Sequence, residues 1–383
     1  MIDAFRRLYG SADGIRVFRA PGRVNLIGEH TDYNLGFVLP VALDLATYIA
    51  TAPAAGGQLR IHSEDREDSA EWPVAEIATL APRRHWTDYP IGVAQELIRA
   101  GFPVAPANLL IRSTVPEGSG LSSSAALEVS TAWALLSNSE INVDRNVIPQ
   151  MCQQAEHLYP ETKCGIMDQF ISCHGRAGHA LMLDCRSLDF QLLPLPGDVR
   201  LMVCNTMVRH EHASGGYNTR QGECQEGLRA LQQALPEIRA LRDVTIDELE
   251  QHRSRLSPLI YKRIRHVVTE NERVKMAASA LQAADMAKLG ELMADSHRSL
   301  RDDYEVSTPE LDLMVELARD QKDVYGARMT GGGFGGCTIN LVHSARAGEV
   351  QQRLEQNYEA KTGLSPTIII CEASDGAGAV AKT

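Results

Sequence analysis

The chain has 383 residues, 44% of them hydrophobic, and a formal net charge of −11. This length allows two domains and this apolar content a sizeable core. The negative charge, with no compact basic block to offset it, argues against nonspecific binding to nucleic acid or anionic membranes. No run approaches the roughly 18 apolar residues of a membrane helix, and the start lacks a signal-peptide hydrophobic region, so we expect a cytoplasmic protein.

The cysteines and histidines do not form a recognisable metal-binding pattern. None of the eight cysteines stands in a Cys-x-x-Cys pair, which argues against a structural zinc site. Most of them lie in or beside apolar runs, as buried free thiols do, which indicates a reducing compartment. The pair His210 and His212 lacks a third ligand at helical spacing.

The N-terminal region ends in a dense polar stretch. A short helix is predicted over residues 3–9 and a strand over residues 15–20, and four ionisable side chains then follow within ten residues: Arg23, Glu29, His30 and Asp32. One interpretation is a polar hairpin with a solvated charge cluster. The other is a pocket on rigid backbone, because apolar residues follow the arginine and the carboxylates flank a glycine turn. Such a pocket suits a polyhydroxylated ligand, whose hydroxyls donate to carboxylates.

The next elements are strands and one helix. Residues 37–51 form a β-rich run, and we expect residues 58–63 to be the neighbouring strand. Residues 73–90 are loop-like. A helix over residues 91–100 is predicted to end at Gly101, because glycine commonly follows the last helical residue.

A glycine- and serine-rich stretch, residues 116–126, separates a predicted strand over residues 109–114 from a predicted helix over residues 122–137. Gly118 and Gly120 allow a tight turn and the close approach of a ligand. The serines that follow offer N-cap hydroxyls and unpaired backbone N–H groups at the helix start. Because these groups and the helix dipole both favour an anion, the stretch predicts a phosphate site.

Two known phosphate loops are excluded by their spacing. A Walker loop needs a lysine, and residues 109–137 contain none. The dinucleotide fingerprint needs a third Gly or Ala, but Gly120 is followed by Leu121, Ser122 and Ser123. A plain N-capped helix after a loop remains the alternative.

Two further features lie downstream. A predicted helix over residues 147–159 carries Glu156, and Asp168 then stands among apolar residues, where it is either exposed on a helix or placed in a pocket. Strands are predicted between residues 179 and 205, and the chain then becomes mostly helical. Five glycines within residues 331–336 indicate backbone packed directly against a ligand or against the other glycine loop.

Three stretches resemble the three motifs of the GHMP small-molecule kinases: residues 21–33, 118–125 and 328–336. The first of them also resembles the galactokinase signature, and residues 164–169 resemble the galactokinase catalytic segment. The similarity spans nearly the whole chain. It implies an α+β, two-domain GHMP kinase fold with the active site in the inter-domain cleft, and we place the domains at residues 1–185 and 186–383.

The resemblance implies ATP-dependent phosphorylation of D-galactose at its anomeric C1 hydroxyl, which gives α-D-galactose 1-phosphate and ADP. It implies that the partners are small molecules and that neither nucleic acid nor a membrane is bound. It also implies a monomer or a weak oligomer. Two alternatives stay open. One is a kinase for a related sugar, such as N-acetylgalactosamine or a pentose, and the other is a non-catalytic galactose sensor.

The resemblance also assigns roles to individual residues. Asp168 would accept the proton of the C1 hydroxyl, Arg23 would stabilise the charge on the γ-phosphate, and Mg²⁺ would bind Ser124 and Glu156. The sugar would contact Glu29, His30, Asp32, Gly165, Asp168 and Tyr217. ATP would contact Pro116, Glu117, Gly118, Ser119, Gly120, Leu121, Ser122, Ser123, Ser124, Ala125 and Trp86. Trp86 would lie near the adenine. The alternative for Trp86 is a role in core packing.

The chemistry of the assigned pair limits what Asp168 does. An arginine beside an aspartate favours the ionised carboxylate and makes it a weaker base. We therefore expect Asp168 to orient the sugar hydroxyl at least as much as it deprotonates it. The chain departs from the family pattern at Leu35 and from Pro160 to Lys163, which concerns the range of sugars more than the reaction.

Overall fold

The computed structural model describes residues 1–10, 14–159, 164–209 and 213–380. Packing divides the chain into two compact units of discontinuous segments. Unit 1 comprises Met1–Arg23, Ala42–Gly175 and Asp375–Thr383, and unit 2 comprises Val24–Val41 and Arg176–Ser374. The predicted domain division after residue 185 stays a prediction. Two features of the sequence analysis lie outside the described residues. They are residues 160–163, where the chain departs from the family pattern, and the pair His210 and His212.

Strands dominate residues 16–73 of the described chain, and helices dominate residues 213–319. The strands are β1 (Arg16–Asn25), β2 (Phe37–Val38), β3 (Pro40–Pro53), β4 (Gln58–Ser63), β5 (Asp68–Pro73), β6 (Ala107–Ser113), β7 (His179–Asp184), β8 (Phe190–Pro194), β9 (Val199–Arg209), β10 (Val324–Thr330), β11 (Gly335–His343), β12 (Thr367–Cys371) and β13 (Gly378–Ala379). The helices are α1 (Ile2–Tyr9), α2 (Asp88–Arg99), α3 (Ser123–Asn138), α4 (Ile148–Leu158), α5 (Met167–His174), α6 (Ala213–Gln232), α7 (Ile246–Gln251), α8 (Pro258–Gln282), α9 (Met286–Asp302), α10 (Pro309–Arg319) and α11 (Ala347–Thr362). Among the residues that the structure describes, no helix is both long enough and apolar enough to cross a membrane.

Unit 1 is organised by one mixed sheet in the strand order β13, β1, β3, β6, β4, β5. β4 and β6 run parallel, with Ile61 opposite Leu109, whereas β3 and β6 run antiparallel. The buried side chains of these strands pack with Val93 and Leu97 of α2 and Val129 of α3 in a single hydrophobic cluster. This cluster fixes α3, and with it the loop that precedes α3.

Unit 2 contains two further sheets, and all of their strand pairs are antiparallel. The larger sheet has the order β10, β11, β9, β12, and the smaller has the order β2, β7, β8. On the larger sheet, Met202 and Val342 pack with Met314 of α10 and with Leu354 and Tyr358 of α11. Sheets that pack against apolar helix faces therefore produce the expected α+β architecture.

Two details of the first sheet differ from the sequence-based expectation. The expectation that residues 58–63 neighbour the run at residues 37–51 is wrong, because β6 lies between β3 and β4 and pairs with both. β5 went unpredicted, because Trp72 is its one fully buried side chain and polar or small residues surround it. Strand order depends on long-range packing, which local sequence patterns do not report.

The contact between α9 and β10 gives a test of this packing. Alanine normally stabilises a helix interior by about 1 kcal/mol relative to glycine, but a Cβ on Gly290 would lie 1.8 Å from the carbonyl oxygen of Tyr325. We therefore expect Gly290→Ala to lower the free energy of unfolding by about 1–3 kcal/mol. The measurement is urea-induced unfolding.

Gly222 offers the matched control in α6, because a Cβ there would meet nothing within 4 Å. Gly222→Ala should raise the free energy of unfolding by roughly 0.5–1 kcal/mol. Shifts of the same sign in the two variants would contradict the close approach of α9 to β10.

Candidate active site

The glycine-serine loop of unit 1 is shaped by its backbone. Gly118 and Gly120 have positive φ angles of 67° and 77°, a conformation that favours glycine. The N–H of Arg23 donates to the carbonyl oxygen of Leu121 at 3.0 Å, and a Cβ on Gly22 would lie 2.7 Å from the same oxygen. The loop therefore lies directly against β1, and the unpaired N–H groups at the start of α3 remain available for an anion.

Arg23 and Asp168 form a bidentate ion pair within unit 1. The Nε of Arg23 donates to one carboxylate oxygen at 2.7 Å and its Nη2 donates to the other at 2.5 Å. Its third nitrogen donates to the carbonyl oxygen of Gly120 at 2.6 Å. The side chains are 7% and 21% exposed, so solvent screens the pair little. The pair joins the glycine-serine loop to the first turn of α5.

Ser122 has a different role from the one predicted. The sequence predicts that its hydroxyl caps α3, but its side chain makes no cap hydrogen bond, and its φ of 57° is left-handed. The hydroxyl instead donates to Asp168. That prediction is wrong because the left-handed turn directs the hydroxyl away from the helix N–H groups, and it brings a third donor to the aspartate.

A second carboxylate cluster lies beside this pair. The Nε2 of Gln169 donates to Glu156 at 2.6 Å and to Glu128 at 3.0 Å, and all three side chains are buried. Burial, followed by the charge of Asp168, raises the pKa of Glu156 to about 7. Burial also raises the pKa of Glu128 well above its usual value, with a further contribution from Glu156. The cluster therefore disfavours additional negative charge unless a cation joins it.

Ser124 and Glu156 have the chemistry that a magnesium ion requires. The hydroxyl of Ser124 hydrogen-bonds to Glu156, so two hard oxygen donors lie side by side. Nearby, one oxygen of Glu128 and the amide oxygen of Gln169 are buried and lack hydrogen-bond partners among the described residues. Among the described residues, no group of three or more His, Cys, Asp or Glu side chains is placed so that it could hold a metal ion.

A cavity of about 200 Å³ opens beside the loop in unit 1. Its lining includes Ser63, Arg66, Trp86, Tyr89, Gly118 and Ser124. Trp86 is 9% exposed, belongs to the hydrophobic core of the unit, and donates its indole N–H to Asp68 at 2.8 Å. The two interpretations of Trp86 are therefore compatible, since one face of the residue packs in the core while the residue lines the cavity.

Glu29 is held inside unit 2 by four groups. One oxygen accepts from Asn25 at 3.1 Å and from buried Arg328, and the other accepts from the Thr330 hydroxyl at 3.2 Å and the Gly331 N–H at 3.1 Å. Four donors occupy most of the acceptor sites of a carboxylate. The first and third sequence motifs therefore meet at this residue.

His30, Tyr33, Tyr217 and Tyr304 form an aromatic group in unit 2. The Tyr33 hydroxyl lies 2.8 Å from His30 Nδ1 and 2.7 Å from the Tyr304 hydroxyl. The rings of His30 and Tyr217 lie 5.4 Å apart between centroids. Burial, then the nearby charge of His266, lowers the pKa of His30 to about 3, so its imidazole is neutral. The His30 ring also hydrogen-bonds to the backbone of Gly332.

The remaining predicted residues are distributed over both units. Asp32 is 8% exposed in a short 3-10 turn of unit 2, and Leu35 follows it with a left-handed φ of 56° and 40% exposure. Gly165 is buried in unit 1, three residues before Asp168. Thus Glu29, His30, Asp32 and Tyr217 belong to unit 2, whereas Gly165 and Asp168 belong to unit 1.

The sequence analysis missed several residues that these contacts involve. Gln169 and Arg328 lie within the matched motifs, but only their spatial partners indicate what they do. Tyr89 lines the cavity and stands beside Trp86 in a stretch that carries no motif. Tyr304 has no local signal, because its partners Tyr33 and Cys224 are far away in sequence.

Family models match three parts of the chain. They are the galactokinase galactose-binding signature at residues 3–53, the GHMP kinases N terminal domain at residues 88–176, and the GHMP kinases C terminal at residues 277–360. The order of these matches is that of the three motifs. The predicted resemblance to the GHMP kinases is therefore confirmed.

Individual relatives agree with the family models. A galactokinase of Chloroflexus aggregans is 46% identical over 98% of this chain and 96% of its own length. A galactokinase of a Roseiflexus species is 44% identical over 99% of this chain and 96% of its own length. Among solved structures, Lactococcus lactis galactokinase complexed with galactose matches with a TM-score of 0.94 at 34% identity, over 98% of both chains. The predicted GHMP kinase fold is confirmed.

The buried imidazoles of unit 2 predict how stability depends on pH. Burial lowers the pKa of His266 to about 4, from an ordinary value of 6.5. Below pH 6.5 the unfolded chain binds a proton that the folded chain does not bind until about pH 4, so the free energy of unfolding falls as the pH drops through this window. We expect His266→Gln to reduce this slope, by up to about 1.4 kcal/mol per pH unit.

The measurement is urea unfolding at several pH values between 7.5 and 4.5. His252→Gln, at a half-buried position in the same unit, serves as the control and should keep the slope of the unaltered chain. The same slope in the His266 variant and the control would contradict the assignment of a neutral, buried His266.

Proposed function

The chain belongs to the galactokinases, within the GHMP kinase family, and we propose that it transfers the γ-phosphoryl group of ATP to the C1 hydroxyl of D-galactose. The products are α-D-galactose 1-phosphate and ADP. The observation that carries the proposal is the bidentate pair of Arg23 and Asp168 beside the glycine-serine loop. It provides a fixed carboxylate for a sugar hydroxyl and a cation for a phosphate in one place.

Asp168 is the residue that meets the reacting hydroxyl in this mechanism. Its carboxylate accepts two hydrogen bonds from Arg23 and one from Ser122, so little of its lone-pair capacity is left. We infer that it orients the C1 hydroxyl towards the γ-phosphorus at least as much as it accepts the proton. Phosphoryl transfer tolerates such a role, because positioning and charge stabilisation dominate its catalysis.

Positive charge for the phosphates comes from three sources in unit 1. The loop and the first turn of α3 offer backbone N–H groups and the helix dipole. Arg23 stabilises the charge that develops on the γ-phosphate. Magnesium, held by Ser124 and Glu156, would neutralise charge on the phosphate oxygens when bound. The raised pKa of Glu156 supports this, because its site gains from a cation.

The adenine of ATP belongs to the cavity lined by Trp86 and Tyr89. Aromatic rings bind a purine by stacking, which needs no fixed hydrogen-bond pattern. The N–H of Trp86 is held by Asp68 at 2.8 Å, so its ring orientation is set before the nucleotide arrives. We propose that the loop residues from Pro116 to Ala125 then follow the phosphates.

Sugar recognition is the role we propose for His30, Asp32 and Tyr217 of unit 2, and the predicted contact of the sugar with Gly165 of unit 1 stays a prediction. His30 is neutral, and its imidazole lies beside the Tyr217 ring, where we propose that it meets a sugar hydroxyl. The predicted contact of Glu29 with the sugar stays a prediction, since four donors of unit 2 already occupy its carboxylate. We propose that Glu29 supports recognition by holding the backbone beside His30.

The two alternatives are less well supported. A non-catalytic sensor does not need a positioned carboxylate, and yet Arg23, Ser122 and Asp168 are joined by three hydrogen bonds. A kinase for N-acetylgalactosamine or a pentose would keep the same phosphate chemistry. The relatives at 44% and 46% identity are galactokinases, which favours galactose.

Replacing the carboxylate tests the mechanism. We expect Asp168→Asn to keep galactose binding, measured by calorimetry, and to lower the rate of ADP release by roughly 10²–10⁴-fold, because an amide cannot accept the proton or pair with Arg23. Asp144→Asn removes an exposed acid of the same unit and should leave both quantities unchanged. Near-normal turnover of Asp168→Asn would contradict the role given to this residue.

A panel of acceptors tests the substrate. We expect ADP release with ATP, Mg²⁺ and galactose, and far less with glucose, N-acetylgalactosamine, arabinose or mevalonate, with the product phosphorylated at C1 by NMR. Faster turnover of another sugar would keep the mechanism and change the substrate, and Leu35, exposed beside the sugar motif, would be the first residue to exchange. Galactose binding without ADP release would favour the sensor.

A further inference from the structure

The cavity beside the phosphate loop has an unusual charge balance for a nucleotide site. Among the described residues that line it, those charged at neutral pH are Asp65, Arg66 and Glu117, so acids outnumber cations. ATP is itself strongly anionic, and the loop between residues 116 and 126 contains no lysine. Any side-chain cation that contacts ATP from this wall is therefore Arg66.

Arg66 lies at the tip of the hairpin that joins β4 to β5. Its Nη2 donates to a carboxylate oxygen of Glu117 at 2.6 Å, and its Cζ lies 6.0 Å from the centre of the Trp86 ring. The guanidinium thus stands near both the tryptophan and the first residues of the phosphate loop. The hairpin is anchored on either side, by Asp65 to the Ser113 N–H at 2.6 Å and by Asp68 to the Trp86 indole at 2.8 Å.

The pair of Arg66 and Glu117 is easily exchanged. The two side chains are 40% and 59% exposed, and solvent-exposed ion pairs contribute little because water and salt screen them. A polyphosphate offers more negative charge than one carboxylate and the bidentate geometry that a guanidinium prefers. Glu117 also places a like charge at the start of the loop, where it repels the phosphates as long as Arg66 does not neutralise it.

We propose that Arg66 binds the phosphates of ATP and that Glu117 competes with them for its guanidinium, so that this pair sets the nucleotide affinity of the chain. This rests on the proposed function, which places ATP in the cavity. Arg66 is pre-positioned by Glu117, and ATP takes the guanidinium over when it binds. Removing Glu117 and removing Arg66 must then change the affinity for ATP in opposite directions.

The test measures the Kd of ATP by titration calorimetry with Mg²⁺ present, for three variants. Arg66→Gln should raise the Kd roughly three- to tenfold, because a phosphate contact is lost. Glu117→Gln should lower it by a similar factor, because the competitor is gone. The double variant should lie between the unaltered chain and Arg66→Gln, since both the contact and the repulsion are absent.

Two controls make the result specific. Arg112→Gln removes an exposed arginine that pairs with Glu64 at 2.8 Å and anchors the same hairpin without lining the cavity, and it should leave the Kd of ATP unchanged. Adenosine lacks phosphates, so its Kd should differ less than twofold among all the variants. Raising the ionic strength should weaken ATP binding more in the unaltered chain than in Arg66→Gln.

The outcomes separate this inference from the proposed function. Equal shifts in the Arg66 and Arg112 variants, or weaker ATP binding in Glu117→Gln, would overturn it even if the chain phosphorylates galactose. Shifts that appear for adenosine as well would also overturn it, because they would place Arg66 on the base. If the unaltered chain released no ADP with galactose, opposite shifts in ATP affinity would still support the pair.

Discussion

The chemistry of unit 1 depends on how buried negative charge is balanced. Asp168, Glu156 and Glu128 lie together in a region of low exposure, and only Arg23 supplies a full positive charge to any of them by a described contact. Unpaired buried carboxylates are strongly unfavourable, so the remaining charge must be reduced by protons, dipoles or a cation. The raised pKa values of Glu156 and Glu128 are one response, and affinity for a cation is the other. The magnesium proposed to bind with the nucleotide would supply this cation.

Unit 2 meets the same constraint with a different solution. Burial alone would raise the pKa of Glu270, but the charge of Arg273 and other cationic neighbours lowers it to about 2. Its Oε1 accepts from the Gly28 N–H at 3.0 Å and from the Ser296 hydroxyl, and its Oε2 accepts from Arg273 at 2.7 Å. Burial raises the pKa of Glu29, and the charge of the fully buried Arg328 offsets part of this effect. Each of these two carboxylates is held by donors from its own unit, which gives the backbone around Gly28 and Gly331 a rigid base.

The sequence predicted most helices and strands of both units, because apolar spacing and glycine or proline breaks are local signals. It also identified the functional stretches, since glycine turns and clustered charges stand out against amphipathic elements. It missed the contacts between residues that lie far apart in the chain. The neighbour of β4 is decided by β6, the hydroxyl of Ser122 is turned by a left-handed φ of 57°, and Tyr304 reaches Tyr33 across 271 residues. A motif names the residues of a site but not their partners.

This distinction matters most for Glu29. Its position in the signature predicts a sugar contact, whereas its geometry shows a carboxylate that accepts from Asn25, Arg328, Thr330 and Gly331. The donors come from both the first and the third motif, and Gly331 opens the turn whose next residue, Gly332, lies against Tyr217. A residue placed in this way can be indispensable for sugar binding because it fixes the backbone around His30 and Tyr217. These four contacts give Glu29 a structural role in unit 2, whether or not the sugar reaches its oxygens.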